Sequence, residues 1–139
     1  MASTLIVGYD DSAGAQAALD YTIALAKELG DAVVIAFGYD PPGIRGEELG
    51  AVRAAVKELG EELTKPALEK AKKAGVDAQL ELVNASPSDA LLQLARANKA
   101  RMIVVGTYGE SPIKGAIVGS TPHKLLQVAD CPVLAVPVR

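Results

Sequence analysis

The sequence contains few aromatic and sulfur-containing residues. Among 139 residues there is no tryptophan, one phenylalanine and one cysteine. Aromatic residues make up only 4% of the chain although half of it is hydrophobic, so the core must be built from Val, Leu, Ile and Ala, which suits a parallel sheet covered by helices. Cys131, the lone thiol, excludes an intrachain disulfide and fits a reducing compartment better than a secreted one. With His123, the single histidine, it cannot make a four-ligand zinc site.

Basic charge is also scarce. There are 14 Lys and Arg against 17 Asp and Glu, a net charge of −3, which argues against nucleic-acid backbones and anionic membranes as partners. No apolar run approaches the roughly 20 residues of a membrane span, and no basic segment leads into an apolar one as in a signal peptide. We therefore expect a soluble, cytoplasmic protein, with residues 1–139 forming one domain.

Short apolar runs alternate with helical patterns along the chain. This alternation predicts an α/β fold, with parallel strands joined by right-handed crossovers. The third strand, 76–82, alternates apolar and polar residues and is therefore expected at an edge of the sheet. Ligands of such sheets bind at the carboxyl ends of the strands, where the strand order reverses. The strands are predicted at 4–7, 33–37, 76–82, 102–105 and 132–136.

The helices have recognisable ends. Ser12 is a predicted N-cap and Gly30 a predicted stop for the first helix, and Ser86 or Ser88 caps the third. A long helix is predicted over about 46–73, with a kink or break at Pro66. Its narrow apolar stripe is interpreted as core rather than partner surface. The stripe consists of Leu49, Val52, Val56, Leu59 and Leu63.

Glycines flank a loop between the fourth strand and the last helix. The first pair follows a buried strand, and the last glycine precedes a helix that begins near Pro122. Glycine lets backbone N–H groups approach a phosphate, and a helix N-terminus adds further donors. Lys114, inside the loop, could neutralise phosphate charge. Two isolated glycines would indicate mere turns, but this arrangement favours anion binding. The predicted phosphate residues are Gly106, Thr107, Gly109, Gly119, Ser120 and Thr121.

The spacing of these glycines resembles the universal stress protein family. Its ATP-binding members carry G-x-x-G, nine residues, then G-[S/T], which is the spacing of Gly106, Gly109, Gly119 and Ser120. The opening strand with its acidic turn, residues 6–12, and the closing strand, residues 129–136, are also similar to that family's. The resemblance spans essentially the entire chain.

The resemblance implies a three-layer α/β/α fold of the adenine nucleotide alpha hydrolase-like type. Its five-stranded parallel sheet would have the order 3-2-1-4-5. It also implies a stress-response regulator that binds ATP and forms a homodimer. Asp10 would lie near the ribose or a bound Mg²⁺, and backbone around Phe37 and Gly38 would meet the adenine. From the residues alone, Asp10 could instead be a cap partner of the first helix.

The chain departs from the family pattern at three places. Glycine is frequent at the position of Asp11, and a larger aliphatic residue at that of Gly38. Near Pro87 a glycine is common, where this chain has Ala85 and Ser86. The second negative charge, on Asp11, makes a divalent cation more important beside a triphosphate.

Two alternatives to an ATP-binding regulator stay open. A slow ATPase or self-phosphorylating protein could use Thr107, Ser111, Ser120 or Thr121 as acceptor, although no general base is evident. A nucleotide-free dimeric interaction module would have an empty loop. The last strand, apolar and followed by Pro137, is expected at an edge that pairs with a second copy. Neither the P-loop motif nor the G-x-G-x-x-G motif is present.

Overall fold

A computed structural model describes residues 2–39, 47–107 and 120–138. Its strands all run parallel in one sheet with the order β3-β2-β1-β4-β5. This order and the α/β class confirm the predicted fold. The elements in chain order are β1 (Thr4–Gly8), α1 (Ala13–Leu29), β2 (Ala32–Gly38), α2 (Glu47–Lys73), β3 (Ala78–Val83), α3 (Pro87–Asn98), β4 (Met102–Gly106), α4 (Ser120–Val128) and β5 (Val133–Val136).

The two faces of the sheet carry separate hydrophobic layers. Alternate residues of a strand point to opposite faces, so Leu5 and Val7 pack with α1 and the second half of α2, while Ile6 packs with α3 and α4. All three side chains have no exposed surface. Helices therefore cover both faces, as the three-layer prediction requires. β3 lies at one edge, as its alternating pattern predicted.

Local signals set the helix ends as predicted. The Ser12 hydroxyl oxygen accepts the N–H of Ala15 at 3.1 Å and caps α1. Gly30 ends α1 with φ 72°, a left-handed conformation that glycine adopts without strain. Ser86 caps α3, accepting the N–H of Asp89 at 3.4 Å. The predicted caps are thus confirmed, with Ser86 rather than Ser88 in that role for α3.

The prediction of a kink or break at Pro66 is wrong as to the break, because α2 is one helix of 27 residues that continues through the proline. Proline removes the hydrogen bond that its N–H would have given to the carbonyl of Glu62. Both residues lie on the exposed side of α2. Water can therefore satisfy the carbonyl, and the helix tolerates the loss.

The apolar stripe of α2 is not the core, which corrects the second prediction for this helix. Leu59 is 58% exposed, and Val52, Val56 and Leu63 are only half-buried. The side chain of Leu49 lies outside the described residues. Small residues form the buried side instead, because they let the helix approach the sheet closely. They are Gly60, Thr64, Ala67 and Ala71.

The surroundings of the single cysteine and the single histidine favour structural roles for both residues. Cys131 packs half-buried against the layer of α3 and α4, and burial raises the pKa of its thiol. A thiol with a raised pKa is a poor nucleophile at neutral pH. His123 is exposed on α4, with its Nε2 atom 3.4 Å from the side-chain amide of Gln127.

Within the three described stretches, no helix is long and apolar enough to span a membrane.

Candidate functional site

Glycines end three neighbouring strands at the carboxyl edge of the sheet: Gly8 on β1, Gly38 on β2 and Gly106 on β4. The order of the strands reverses at β1, which pairs with β2 on one side and β4 on the other. This is the position at which open parallel sheets bind ligands. Without side chains at these ends, backbone groups and helix ends form the surface that a ligand would meet.

Gly106 lies directly against the backbone of α1. A Cβ atom at Gly106 would be 2.6 Å from the carbonyl carbon and oxygen of Gly14 and 2.9 Å from its Cα. Backbone cannot yield as a flexible side chain does, so only glycine fits here. The end of β4 is thereby fixed beside the first turn of α1, which places the start of the predicted phosphate loop beside the turn that holds Asp10.

Gly38 makes a similar close approach to the start of α3. A Cβ atom there would be 2.9 Å from both the carbonyl oxygen of Ala85 and the Cα of Pro87. The backbone of residues 85–87 thus fills the space that an aliphatic side chain at position 38 would need. The departures at Gly38 and near Pro87 are therefore two parts of one packing arrangement.

The turn after β1 holds two carboxylates. The half-buried Asp10 accepts the backbone N–H of Ser12, the N-cap of α1, through Oδ1 at 3.1 Å, as the cap-partner interpretation of Asp10 predicts. Asp11 has φ 65°, in the left-handed region that glycine favours, which gives a physical reason for the glycine frequent at this position. The Asp11 carboxylate accepts the Tyr9 hydroxyl at 3.0 Å.

Tyr9 supports this turn from the core. Its side chain is 7% exposed and belongs to the layer beneath α1. Burial, followed by the hydrogen bond to Asp11, raises the pKa of Tyr9 to about 12. The phenol therefore stays protonated at neutral pH and acts as a donor to Asp11. Tyr9 therefore anchors the acidic turn from the core.

The helix N-termini at this edge differ in charge. The first turn of α4 contains no acidic residue, whereas α3 has Asp89 in its first turn and α1 is preceded by Asp10 and Asp11. Lys124 of α4 binds Asp89 with an Nζ–Oδ1 distance of 3.1 Å, which lowers the pKa of Asp89 and joins the two helix starts. A helix N-terminus favours anions, and at α1 Asp10 and Asp11 already supply negative charge, so the start of α4 is the one that suits a phosphate. Asp10 and Asp11 supply carboxylate oxygens, which are ligands for a cation.

The family model for the universal stress protein family matches residues 1–137. The chain belongs to the universal stress protein family. Universal stress protein YxiE of Bacillus subtilis (strain 168) is 31% identical over 147 residues, an alignment that covers 98% of this chain and 99% of YxiE. The predicted membership of this family is therefore confirmed.

Solved structures of the family share the fold of this universal stress protein. UspA from Lactobacillus plantarum superposes with a TM-score of 0.83 at 18% identity, covering 96% of this chain and 97% of that one. A universal stress protein crystallised in complex with cAMP superposes with a TM-score of 0.75 at 29% identity, covering 99% and 98%. The first likeness concerns the fold alone, while the second relative also holds an adenine nucleotide.

The described part of this universal stress protein brings several predicted site residues to one edge. Gly38 ends β2, Gly106 ends β4, and Asp10 follows β1, which lies between those two strands. Thr107 follows β4 and donates its N–H to the carbonyl of Val136 at 3.2 Å. Ser120 and Thr121 begin α4, the former exposed and the latter half-buried. Gly109, Lys114 and Gly119 lie outside the described residues.

Phe37 is placed differently from the other predicted residues. Its ring lies against α2, where a Cβ atom at Gly60 would be 2.5 Å from Cε1. Only the Phe37 backbone, not its ring, is positioned by the end of β2. Tyr9 and Gly14 are two further residues at this edge that the sequence did not predict. A tyrosine one residue before the acidic pair and a glycine in the first turn of a helix were the available signals.

Proposed function

We propose that this universal stress protein binds ATP, as Mg-ATP, at the carboxyl edge of its sheet and acts as a cytoplasmic stress-response regulator. The observation that carries the proposal is the contact between Gly106 and Gly14. It joins the strand that leads into the glycine loop to the turn of Asp10. The relative in complex with cAMP, at 29% identity, supports an adenine nucleotide as the ligand class.

The charge distribution favours a nucleotide with bound cation over a free anion. The first turn of α4 carries no acid, and Ser120 and Thr121 offer hydroxyl donors for phosphate oxygens. On the other side, Asp10 and Asp11 would repel an uncompensated triphosphate. A divalent cation between the two removes this repulsion.

Magnesium fits the donor set at this edge. Among the described residues no group of three or more His, Cys, Asp or Glu is close enough to hold a metal ion by itself. Mg²⁺ commonly uses one or two carboxylates, keeps several waters and takes further oxygens from the phosphates of its substrate. Asp10 is the carboxylate that would hold it in this way.

We also propose a homodimer that forms through the outer edge of β5. β5 pairs with β4 on one side and ends the sheet. The carbonyls of Pro132 and Val136 accept N–H groups of the β4 side. By the alternation of strands, the N–H of Ala135 therefore faces the open edge, where it could pair with a second copy.

Calorimetric titration with Mg-ATP tests the nucleotide site. Wild type is expected to bind with micromolar affinity, and Gly109→Val and Gly119→Val to lose binding because a side chain would obstruct the phosphate loop. Gly50→Ala is the matched control, since a Cβ atom at Gly50 meets nothing within 4 Å. No heat from folded wild type, after extraction has shown that no nucleotide co-purified, would refute ATP binding. An assay of ADP in the same samples separates a binder from a slow ATPase.

Sedimentation at micromolar concentration tests the dimer. Wild type is expected at the mass of two chains and Ala135→Pro at the mass of one, since proline removes the N–H that faces the open edge. Nucleotide affinity measured in the same variant shows whether the two properties are linked. A monomeric mass for wild type would refute the dimer and leave the nucleotide site unaffected.

A further inference from the structure

The first half of α2 extends past the carboxyl edge of the sheet. The helix has 27 residues, a length of about 40 Å, while β2 has 7 residues, about 23 Å. Phe37, next to last in β2, lies with its ring against Gly60. Because α2 runs back towards the amino edge, the residues before Gly60 rise above the strand ends. We call residues 50–59 the overhang.

Arg53 lies on the side of the overhang that faces the sheet. It precedes Gly60 by about two turns and Ala71 by about five, so the three residues share one side of the helix. Gly60 and Ala71 are buried on that side. Arg53 is half-buried while its neighbours Ala54 and Ala55 are exposed, which agrees with this orientation.

The guanidinium of Arg53 has an unsatisfied donor. Its Nε atom is buried and has no hydrogen-bond partner among the described residues. Arginine stays charged at every physiological pH, and buried polar groups are nearly always paired. The buried Asp31, by contrast, binds Arg101 through both carboxylate oxygens. A buried N–H donor without a partner, placed above the carboxyl edge of the sheet, indicates a group that acquires its partner on binding.

We propose that Arg53 contacts the base of the bound nucleotide, its Nε–H donating to a ring nitrogen of adenine above the carboxyl end of β2. This inference rests on the proposed function. The base is favoured over the phosphates because α2 packs on β2 and β3, whereas the phosphate loop follows β4. With β1 between them, β2 and β4 lie about 10 Å apart. The contact makes Arg53 a determinant of base recognition.

Arg53→Met and Lys57→Met form a matched pair for the test, because each removes one positive charge from α2. The two positions are about one helical turn apart, and the Lys57 side chain is exposed. Mg-ATP and adenosine are titrated into both variants, adenosine by displacement of ATP. Arg53→Met is expected to weaken both ligands by the same factor, about tenfold or more, because the lost bond involves the base. Lys57→Met is expected to bind both as wild type does.

The melting temperature without ligand is a second readout. It falls in the variant if Arg53 has a structural role, and it does not fall if Arg53 serves the ligand. If Arg53 serves the ligand, removing its unsatisfied Nε–H donor leaves the melting temperature unchanged or raised. A lowered melting temperature together with unchanged affinity would overturn the inference, as would wild-type ATP affinity in Arg53→Met. Loss of ATP affinity with adenosine unaffected would overturn it too, by assigning Arg53 to the phosphates. Absence of ATP binding by wild type would instead refute the proposed function, and this inference with it.

Discussion

The two edges of the sheet treat polar groups in opposite ways. At the amino edge, the Asp31 side chain has no exposed surface and accepts the N–H of Ser3 at 2.8 Å, Arg101 Nε at 2.6 Å and Arg101 Nη2 at 3.1 Å. At the carboxyl edge, glycines end the strands, the start of α4 has no acid in its first turn, and Arg53 Nε has no partner among the described residues. A polar group paired within the chain contributes stability, whereas one left unpaired at the carboxyl edge is available to a ligand.

The largest effect is expected from Gly106→Ala at the carboxyl edge. The new Cβ would lie 2.6 Å from Gly14 backbone atoms, and overpacking of this kind costs about 3 kcal/mol of unfolding free energy. Denaturation in urea measures the loss, and nucleotide binding should disappear with it. Gly50→Ala, with open space around its Cβ, is expected to be neutral or to stabilise α2 by up to about 1 kcal/mol. Equal stability of the two variants would contradict the close approach.

Asp31→Asn tests the amino edge, with an expected loss of about 2 kcal/mol at pH 7 and unchanged nucleotide affinity. The hydrogen bond from Arg101 holds the pKa of Asp31 below its usual range. A carboxylate with a lowered pKa stabilises the fold above the unfolded-state pKa, about 4, and loses that contribution as the pH falls through the folded-state value. The difference between wild type and variant should therefore shrink in urea denaturation below about pH 4. A constant difference down to pH 2 would argue against the charged pair.

Tyr9→Phe is expected to cost about 1 kcal/mol at neutral pH, through loss of the hydrogen bond to Asp11. The folded-state pKa of Tyr9 is raised to about 12 from an ordinary value of 10. Its contribution is therefore complete below about pH 10 and declines as the pH rises towards 12. Tyr21→Phe, at a side chain 51% exposed, serves as the control. Guanidinium denaturation at pH 7 and pH 11 measures the loss of unfolding free energy. Equal losses at the two pH values would contradict the raised pKa of Tyr9.

The smallest effect is expected from Lys124→Met. The ion pair with Asp89 joins α3 and α4 on the surface, with about half of each side chain exposed. Pairs of this kind are screened by water and salt, so no measurable change in the melting temperature is expected. Calorimetric scans in low and high salt are the test. A large loss that vanishes in high salt would show that the pair holds the two helix starts together.

Much of the fold follows from local patterns in the sequence. Ser12, Ser86 and Gly30 set helix ends through hydrogen bonds with residues a few positions away, and the alternation of apolar and polar residues in β3 predicted its place at an edge of the sheet. Each of these features depends on neighbours in sequence. The proposed position of the site likewise rests on the glycine spacing and on the rule for parallel sheets.

Contacts distant in sequence could not be predicted in this way. Nothing local indicates that Gly106 touches Gly14, or that Gly38 touches Pro87. The stripe of α2 was misassigned because apolar periodicity identifies a face without identifying what covers it. The helix in fact buries Thr64, whose hydroxyl donates to the carbonyl of Gly60 at 2.7 Å and so needs no partner outside the helix.

The contact between Phe37 and Gly60 limits how these two positions can change during evolution. A Cβ at position 60 would force the Phe37 ring to shift, while a smaller residue at position 37 would leave less packing against the helix. Neither position can therefore vary freely without the other. A family member that lacks the aromatic ring is expected to carry alanine or a larger residue at the helix position that corresponds to Gly60. A shift of that helix along the sheet would change how far its first half reaches over the strand ends.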